Sequence, residues 1–398
     1  MNRFLVTSLV IGIVSGCGSS GSTASPSPAT TPGATNPATS VQPSVATSIA
    51  PTAFPIAAFA ALSDDPVPED VALKFQAILA DMAGGGGMAA TVMTADGTWS
   101  GAVGKADGVH DVAVDSQFGI ASVTKSIVAA QVMQLVEAGE VDLDRPATEY
   151  LPADFTFDTN GATIRQLLSM RSGIPDWYGD AMEERVAADR TRVWELDEIL
   201  ALVGSARRPV GADDYSDTNY NVLGLVIEHV RKRPLVEVLR GGVLRVEGTE
   251  RLIYQPDEAP TDPMAMPRGE SRDALEKGGG YLPSISDASS AGPAGAMASD
   301  SISLARWWRA FCAGEVVSRA SLTEMSTFYD GADGYGLGLF NSAQRAAVKA
   351  VGHLGANFGY KSSAGCLTED HVIFAVLTNQ DRDSFDLATS LLRAALSN

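Results

Sequence analysis

Cysteine, histidine and positive charge are all scarce in this 398-residue chain. Its three cysteines and four histidines form no Cys-x-x-Cys and no His-x-x-x-His pair. That excludes a zinc ribbon or dithiol redox centre and argues against a metal site of any kind. Lysine and arginine number 29 against 48 aspartates and glutamates, for a formal net charge of −19. A surface so anionic repels phosphate backbones, which argues against nucleic-acid binding and against a basic membrane-surface protein. No Gly-x-Gly-x-x-Gly opens a helix after a strand, so the glycine run at 84–87 reads as a connector and no cofactor is expected. The absence of a Gly-x-Ser-x-Gly elbow counts against an α/β-hydrolase. What is present is ordinary for a globular protein: 45% hydrophobic and 19% charged residues, too apolar for wholesale disorder.

The N-terminus has the form of an export signal over residues 1–16. Arg3 supplies charge, and the apolar run at 4–14 is too short to span a bilayer. It ends in Val14-Ser15-Gly16-Cys17, which resembles the bacterial lipobox, whose cysteine is lipidated and becomes the first mature residue. The alternative is an ordinary secretory signal with an incidental cysteine. Residues 18–52 are almost entirely Ser, Thr, Pro, Ala and Gly, without a charge, and cannot bury enough surface to offset their ordering entropy. With Cys17 they read as a lipid anchor on a flexible tether, which places the protein outside the cytoplasm, attached to the cell membrane. About 345 residues remain, enough for one catalytic unit over 53–398.

Within that unit, apolar spacings of three and four predict helices over 65–82, 122–138, 164–168, 193–203, 219–230, 301–311 and 385–396. Strand patterns occupy 88–94, 98–103, 335–340, 348–354, 360–367 and 372–377, the first two joined by the hairpin turn Ala95-Asp96-Gly97. The fold class is α+β: an antiparallel sheet flanked by helices (about 65–138 and 292–398) plus an all-α lobe (about 139–291). Trp307-Trp308 reads as helix packing. Glycine content at 278–280 and small residues at 291–298 suggest mobile rims of a cleft. Cys312 and Cys366 are either joined in an oxidising compartment or remain two buried thiols.

Ser122-Val123-Thr124-Lys125 sets a hydroxyl and an amine three residues apart on one helix face. A serine at a helix N-terminus sits where free N–H groups favour developing negative charge. Val123, Ile127 and Val128 surround Lys125 with apolar residues. A lysine in an enclosed pocket loses proton affinity by desolvation and is then able to accept the serine proton.

The segment Phe118-Gly119-Ile120-Ala121-Ser122-Val123-Thr124-Lys125-Ser126 resembles the nucleophile segment of the serine β-lactamase and penicillin-binding-protein family. Within it, the resemblance is to the branch of class C β-lactamases, D,D-carboxypeptidases and family VIII esterases. Further matches follow in order. Gly139-Glu140-Val141-Asp142-Leu143-Asp144 is similar to the turn after the nucleophile helix. Residues 164–174 are similar to that family's "LLxHxSGL" segment, with Met170 where histidine is usual. Tyr215-Ser216-Asp217 and the helix after it are similar to the Tyr-x-Asn motif, and His353-Leu354-Gly355 to the Lys/His-Thr-Gly strand. The similarity runs from about residue 68 to the C-terminus and implies a β-lactamase/transpeptidase-like fold.

The resemblance implies an acyl-enzyme on Ser122, with Lys125 and Tyr215 as the proton-transfer pair. It also implies an oxyanion hole made by the N–H groups of Ser122 and Ala356. Asp217, His353, Leu354 and Gly355 fall in its substrate-binding motifs, and Trp177 and Tyr178 are candidates for lining the acyl pocket. Two departures bear on chemistry. Asp217 lacks the N–H donors of asparagine and, if ionised, holds Lys125 protonated. Leu354 replaces a hydroxyl that helps bind a substrate carboxylate. Both point to a hydrolase of esters or amides, acting on a small-molecule or cell-wall-derived substrate. The alternatives are a D,D-carboxypeptidase or penicillin-binding lipoprotein, and a catalytically degenerate lipoprotein that binds cell-wall fragments. The sequence is silent on oligomeric state.

Overall fold

Strand patterns from both ends of the catalytic unit meet in one sheet. The computed structural model describes residues 54–84, 86–260, 264–267, 285–329, 334–341, 350–357, 359–380 and 384–397. The strands are β1 (Met88–Thr94), β2 (Gly97–Val103), β3 (Phe118–Gly119), β4 (Ile253–Tyr254), β5 (Met297–Ser299), β6 (Phe340–Asn341), β7 (Ala350–Asn357), β8 (Tyr360–Leu367) and β9 (Val372–Thr378). Six of them form an antiparallel sheet in the order β2-β1-β9-β8-β7-β6. The N-terminal hairpin thus docks on the last strand of a C-terminal meander, with Met88 opposite Thr378. A second, three-stranded sheet has the order β3-β5-β4.

Alternation along the strands fills two layers. Met88, Ala90 and Val92 of β1 and Val372, Phe374 and Val376 of β9 face one side. There they pack on Phe75 and Leu79 of α2 (Glu69–Met82) and on Leu391 and Leu392 of the last helix, Ser384–Leu396. Ala89, Met93, Ile373, Ala375 and Leu377 face the other way, into the larger core. That core holds α3 (Thr124–Glu137), where Lys125 to Met133 is buried without interruption. A helix covered on all sides takes its stability from packing, at about 1.5–3 kcal/mol for each fully buried Leu, Ile, Val or Met side chain. Trp307, Trp308 and Phe311 lie in the same core as a mutually packed aromatic group.

Between β3 and β5 the chain builds α4 (Ile164–Leu168), α5 (Asp180–Ala188), α6 (Leu196–Leu200), α7 (Thr218–Arg231), α8 (Leu235–Gly241) and α9 (Ile285–Ala291). α10 (Ser301–Cys312), α11 (Arg319–Met325) and α12 (Ser384–Leu396) complete the set, with α1 (Ile56–Ala60) before α2. No helix among the described residues is long and apolar enough to cross a membrane.

Several expectations need correction. The first long helix begins at Glu69, not 65, because Pro66 and Pro68 precede it and Pro68 is its N-cap. Residues 335–340 are not a strand. Tyr335 bridges back to Phe340 across a turn in which Gly338 has φ +75°, so the apparent alternation of Gly and Leu is a reversal. The helix expected over 193–203 shrinks to Leu196–Leu200, since Trp194 is drawn aside by hydrogen bonds to Ser286 and Ser289. The lobe is not all-α, because β4 pairs with β5. The 291–298 segment is no mobile rim: it is buried throughout apart from the half-buried Gly295, and Pro293 presses so closely on α7 that Gly224 has no room for a Cβ. Cys17, the signal and tether at 1–52 and the glycines at 278–280 lie outside the described residues.

Of the two alternatives for Cys312 and Cys366, the structure has the disulfide, joining the end of α10 to β8 with both residues fully buried. Closing a loop over a sequence separation of 54 restricts the unfolded chain and is worth about 4 kcal/mol in the chain-entropy account. Urea unfolding with and without reductant checks this, and the reduced protein is expected to unfold at a clearly lower midpoint.

Candidate active site

The chain reaches the site from the small sheet. Phe118 and Gly119 pair with Ser299 and Ala298, and Ile120 N–H donates to the Met297 carbonyl at 2.9 Å. Ala121 then adopts φ +46°, a left-handed conformation that costs a residue with a Cβ about 1–2 kcal/mol. This kink swings the next residue into the 3-10 turn Ala121–Val123, which feeds α3. Ser122 is left half-buried, with Lys125 one turn further on and wholly buried.

Four polar groups surround the Lys125 ammonium: the Ser122 hydroxyl, the Ala294 carbonyl, the Asp217 carboxylate and the Tyr215 hydroxyl. Nζ is 2.8 Å from Ser122 Oγ, 2.7 Å from the Ala294 carbonyl and 2.7 Å from Asp217 Oδ1. Asp217 is the N-cap residue of α7, yet its side chain makes no capping bond; it turns to the lysine instead. Burial alone lowers the lysine pKa, as the apolar surroundings suggest. Asp217, and then Tyr215, outweigh it, so the pKa is raised from its usual value and Lys125 is a cation. The expectation that enclosure turns this lysine into a ready base is therefore corrected by the carboxylate beside it. Asp176 lies near enough for the charges of Asp217 and Lys125 to act on it too.

Tyr215 stands over this group, its ring 5.1 Å from Lys125 Nζ. The ring stacks on Phe340 and meets Tyr335 edge-on, with centroids 6.1 and 6.0 Å away, and it is 40% exposed. Its hydroxyl interacts with both Lys125 and Ser122, which lower its pKa. Desolvation, helped by the charge of Asp217, outweighs them and raises it. A phenolate needs an uncompensated cation next to it, and here the cation is already paired.

The opposite wall is the end of β7. Gly355 packs so tightly on the nucleophile turn that a Cβ would lie 2.2 Å from the Ile120 carbonyl. Ser362 of β8 donates to that same carbonyl at 2.6 Å. Asn357 faces Tyr360 across two intervening residues, and the residues flanking so short a loop form a hydrogen-bonded pair. By alternation Gly355 also bonds β8, whereas Leu354 and Ala356 direct their N–H groups away from it. Among the described residues β6 pairs with β7 at Val351 and Gly352, and Ala356 itself is exposed, next to the Gly355 that packs on the nucleophile turn. Asn357 Nδ2 then donates to both carboxylate oxygens of Asp287, each at 2.9 Å. Asp287 is buried, and desolvation raises its pKa to about 7 against the effect of Asn357.

The structure thus brings Ser122, Lys125, Tyr215 and Asp217 together, with Gly355 packed on the nucleophile turn beside them. Tyr178 is 39% exposed and close enough to Asp217 and Asp287 to feel both charges. Three other expected contacts differ. Trp177 is buried with Met182, Val186, Trp194 and Ile199 in a small separate core, so it supports the lobe rather than lining a pocket. His353 is buried, its Nε2 3.0 Å from the Tyr335 hydroxyl, and burial pushes its pKa down to about 3; it is neutral and offers no charge to a substrate. Gly355 serves the backbone approach to Ile120. Met170, fully buried with φ +60°, accepts a hydrogen bond from Asn219 at its sulfur. The sequence reading missed Ala294, Asp287, Asn357, Tyr335 and Phe340. A carbonyl contact has no sequence signature, but the run of aromatics after the lobe was a usable signal.

A serine–lysine–tyrosine cleft between an antiparallel sheet and a largely helical lobe defines a serine hydrolase of β-lactamase/transpeptidase architecture. The profile of the family described as Beta-lactamase matches residues 75–397, and the chain belongs to that family. Curated relatives include penicillin-binding protein 4 of Amycolatopsis lactamdurans, 33% identical over 163 residues, covering 40% of this chain and 42% of that one. Esterase EstB of Burkholderia gladioli is 36% identical over 135 residues, covering 30% and 34%. The alignments span between 26% and 42% of the length of the curated relatives matched. Among solved structures, the D-stereospecific amidohydrolase from Streptomyces sp. superposes with a TM-score of 0.69 at 27% identity, covering 81% of this chain and 98% of that one.

Replacing Asp217 by Asn removes the anion that keeps both Lys125 and Tyr215 protonated. Desolvation then governs the lysine, and its pKa falls. Whichever of the two gives up the proton, the acid limb of kcat/KM for a p-nitrophenyl ester is expected to move to lower pH in Asp217→Asn. A pH–rate profile measures this directly, and a limb that stays in place contradicts the electrostatic account.

Proposed function

We propose that this chain is an exported, lipid-anchored hydrolase that forms an acyl-enzyme on Ser122 and cleaves ester or amide bonds of substrates without a recognition carboxylate. The observation that carries this reading is the 2.8 Å contact between Lys125 Nζ and Ser122 Oγ under the Tyr215 hydroxyl, beside the open edge of β7. In the reaction, the deprotonated form of the Lys125–Tyr215 pair takes the Ser122 proton while Oγ bonds to the substrate carbonyl carbon. The resulting oxyanion is held by the N–H groups of Ser122 and Ala356. The tetrahedral adduct collapses, the bond to the leaving group breaks, and the pair returns the proton to that group. Water repeats the sequence on the acyl-enzyme and frees Ser122.

Substrate preference follows from charge. The Lys125 charge is paired with Asp217, His353 is neutral, and Leu354 has no hydroxyl, so these positions present neither an unpaired cation nor a hydroxyl to a substrate carboxylate. Penicillins and D-Ala-D-Ala stems carry such a group; simple esters and amides do not. An esterase and a D-stereospecific amidohydrolase among the similar proteins support this direction. The ion pair on Lys125 favours a second reading, in which the cleft binds its ligand without turning it over.

Intact-protein mass spectrometry after a fluorophosphonate separates the two. Wild type is expected to gain one adduct and Ser122→Ala none, with ester hydrolysis falling more than about 10³-fold in the variant. An unmodified wild type favours the binding reading, and faster turnover of nitrocefin than of esters overturns the substrate preference. For the anchor, the protein is expected in the membrane fraction of its host and Cys17→Ala in the soluble fraction; equal partition rejects lipidation.

A further inference from the structure

One short stretch of chain holds both halves of the site. α9 and the 3-10 turn Gly292–Ala294 adjoin in sequence, the chain changing course between them at Gly292, whose φ is +47°. At one end the Ala294 carbonyl receives Lys125 at 2.7 Å. At the other, Asp287 receives Asn357, the residue directly after the Ala356 oxyanion donor. The stretch is itself firmly seated: Ser286 N–H donates to the Arg190 carbonyl at 3.1 Å, Trp194 Nε1 to Ser286 Oγ at 2.9 Å and Trp194 N–H to Ser289 Oγ at 3.0 Å. Pro293 packs against α7 at Gly224, the helix whose first turn carries Asp217.

Among the described residues little else holds the Ala356 N–H: it lies four residues beyond the last β6 pairing, on an exposed residue near the tip of the β7–β8 hairpin. An oxyanion donor works only if it is already in place when charge develops, within a few tenths of an ångström of its hydrogen-bonding distance. An exposed residue near a hairpin tip does not meet that demand unaided. The carboxylate of Asp287, gripping Asn357 through two 2.9 Å contacts from a buried position, supplies the missing restraint.

We propose that Asp287 is a positioning residue: through Asn357 it sets the Ala356 N–H against Ser122, and through the α9–Ala294 stretch it ties that placement to the seat of Lys125. The inference rests on the acyl-enzyme reading above. It assigns to the 70-residue-distant pair Asp287 and Asn357 a role in kcat and none in substrate binding.

Asn357, half-buried at a strand end, can be truncated with little risk to folding, so Asn357→Ala is the primary variant. Ester kinetics, fluorophosphonate labelling rate and melting temperature are measured on the full chain for wild type, Asn357→Ala, Asp287→Ala, Asp287→Asn and the double alanine variant. Expected is a loss of about 10-fold or more in kcat and in labelling rate for either alanine variant, with KM within about 2-fold. The double variant should lose no more than the worse single. Asp287→Asn keeps an oxygen acceptor for Asn357 Nδ2 and should recover most of the loss. Additive losses, a change confined to KM, or an Asn357→Ala enzyme as fast as wild type overturns the inference. A wild type that takes no label overturns the acyl-enzyme reading and this inference with it, whereas a labelled wild type with an unaffected Asn357→Ala removes the inference alone.

Discussion

A lysine ammonium with no access to water is the constraint around which the molecule is arranged. A buried charge is tolerated only when its partners are complete, and the partners of Lys125 come from separate places: Ser122 on its own helical turn, Tyr215 and Asp217 at the approach to α7, and the Ala294 carbonyl. None of these can drift without weakening the compensation of that charge. The apolar helix α3 therefore acts as a pillar whose one polar feature registers the lobe against the sheet. Removing one partner of such a pair costs about 3–5 kcal/mol, because the other charge stays behind. Structure and chemistry depend on the same contacts.

The same contacts explain why the cleft differs in character from the motifs it resembles. With a carboxylate at 217, the lysine charge is compensated locally, and its electrostatic reach toward Tyr215 and toward a substrate is shortened. With His353 neutral under Tyr335, the wall of the sheet contributes shape and backbone donors rather than charge. Aromatic rings fill the space that remains: Tyr215, Tyr335, Phe340 and His353 are in mutual contact. The result is a site that addresses a carbonyl group chiefly through geometry.

Local pattern was enough for much of this. The strands at 88–94, 360–367 and 372–377 were legible as short, mostly apolar or small-residue runs, because they are buried on both faces. The Ser122 and Lys125 spacing was legible because one helical turn is a local fact. Legibility fails where a segment owes its conformation to distant partners. Residues 335–340 alternate Gly and Leu, yet the glycines turn rather than extend. Residues 291–298 look loose by composition, while small residues are what the close approach of Pro293 to Gly224 demands. The tie between Asp287 and Asn357 crosses 70 positions and has no periodicity to betray it. Trp177 looked like a pocket residue from its place after the Ser172-Gly173 turn, but the core formed by Met182, Val186, Trp194 and Ile199 claims it.

The pairing of β1 with β9 has a consequence for the order in which the molecule can be made. In synthesis β9 follows β1 only after the lobe and the strands β2 to β8 have been made, so the central strand that β1 joins does not exist until then. Until then β1 presents one bare edge, the kind that recruits other strands, and a product ending before Val372 keeps that edge for good. Such a fragment is a seed for aggregation rather than a partly working enzyme. The ribosome must deliver β9 before the edge of β1 is covered.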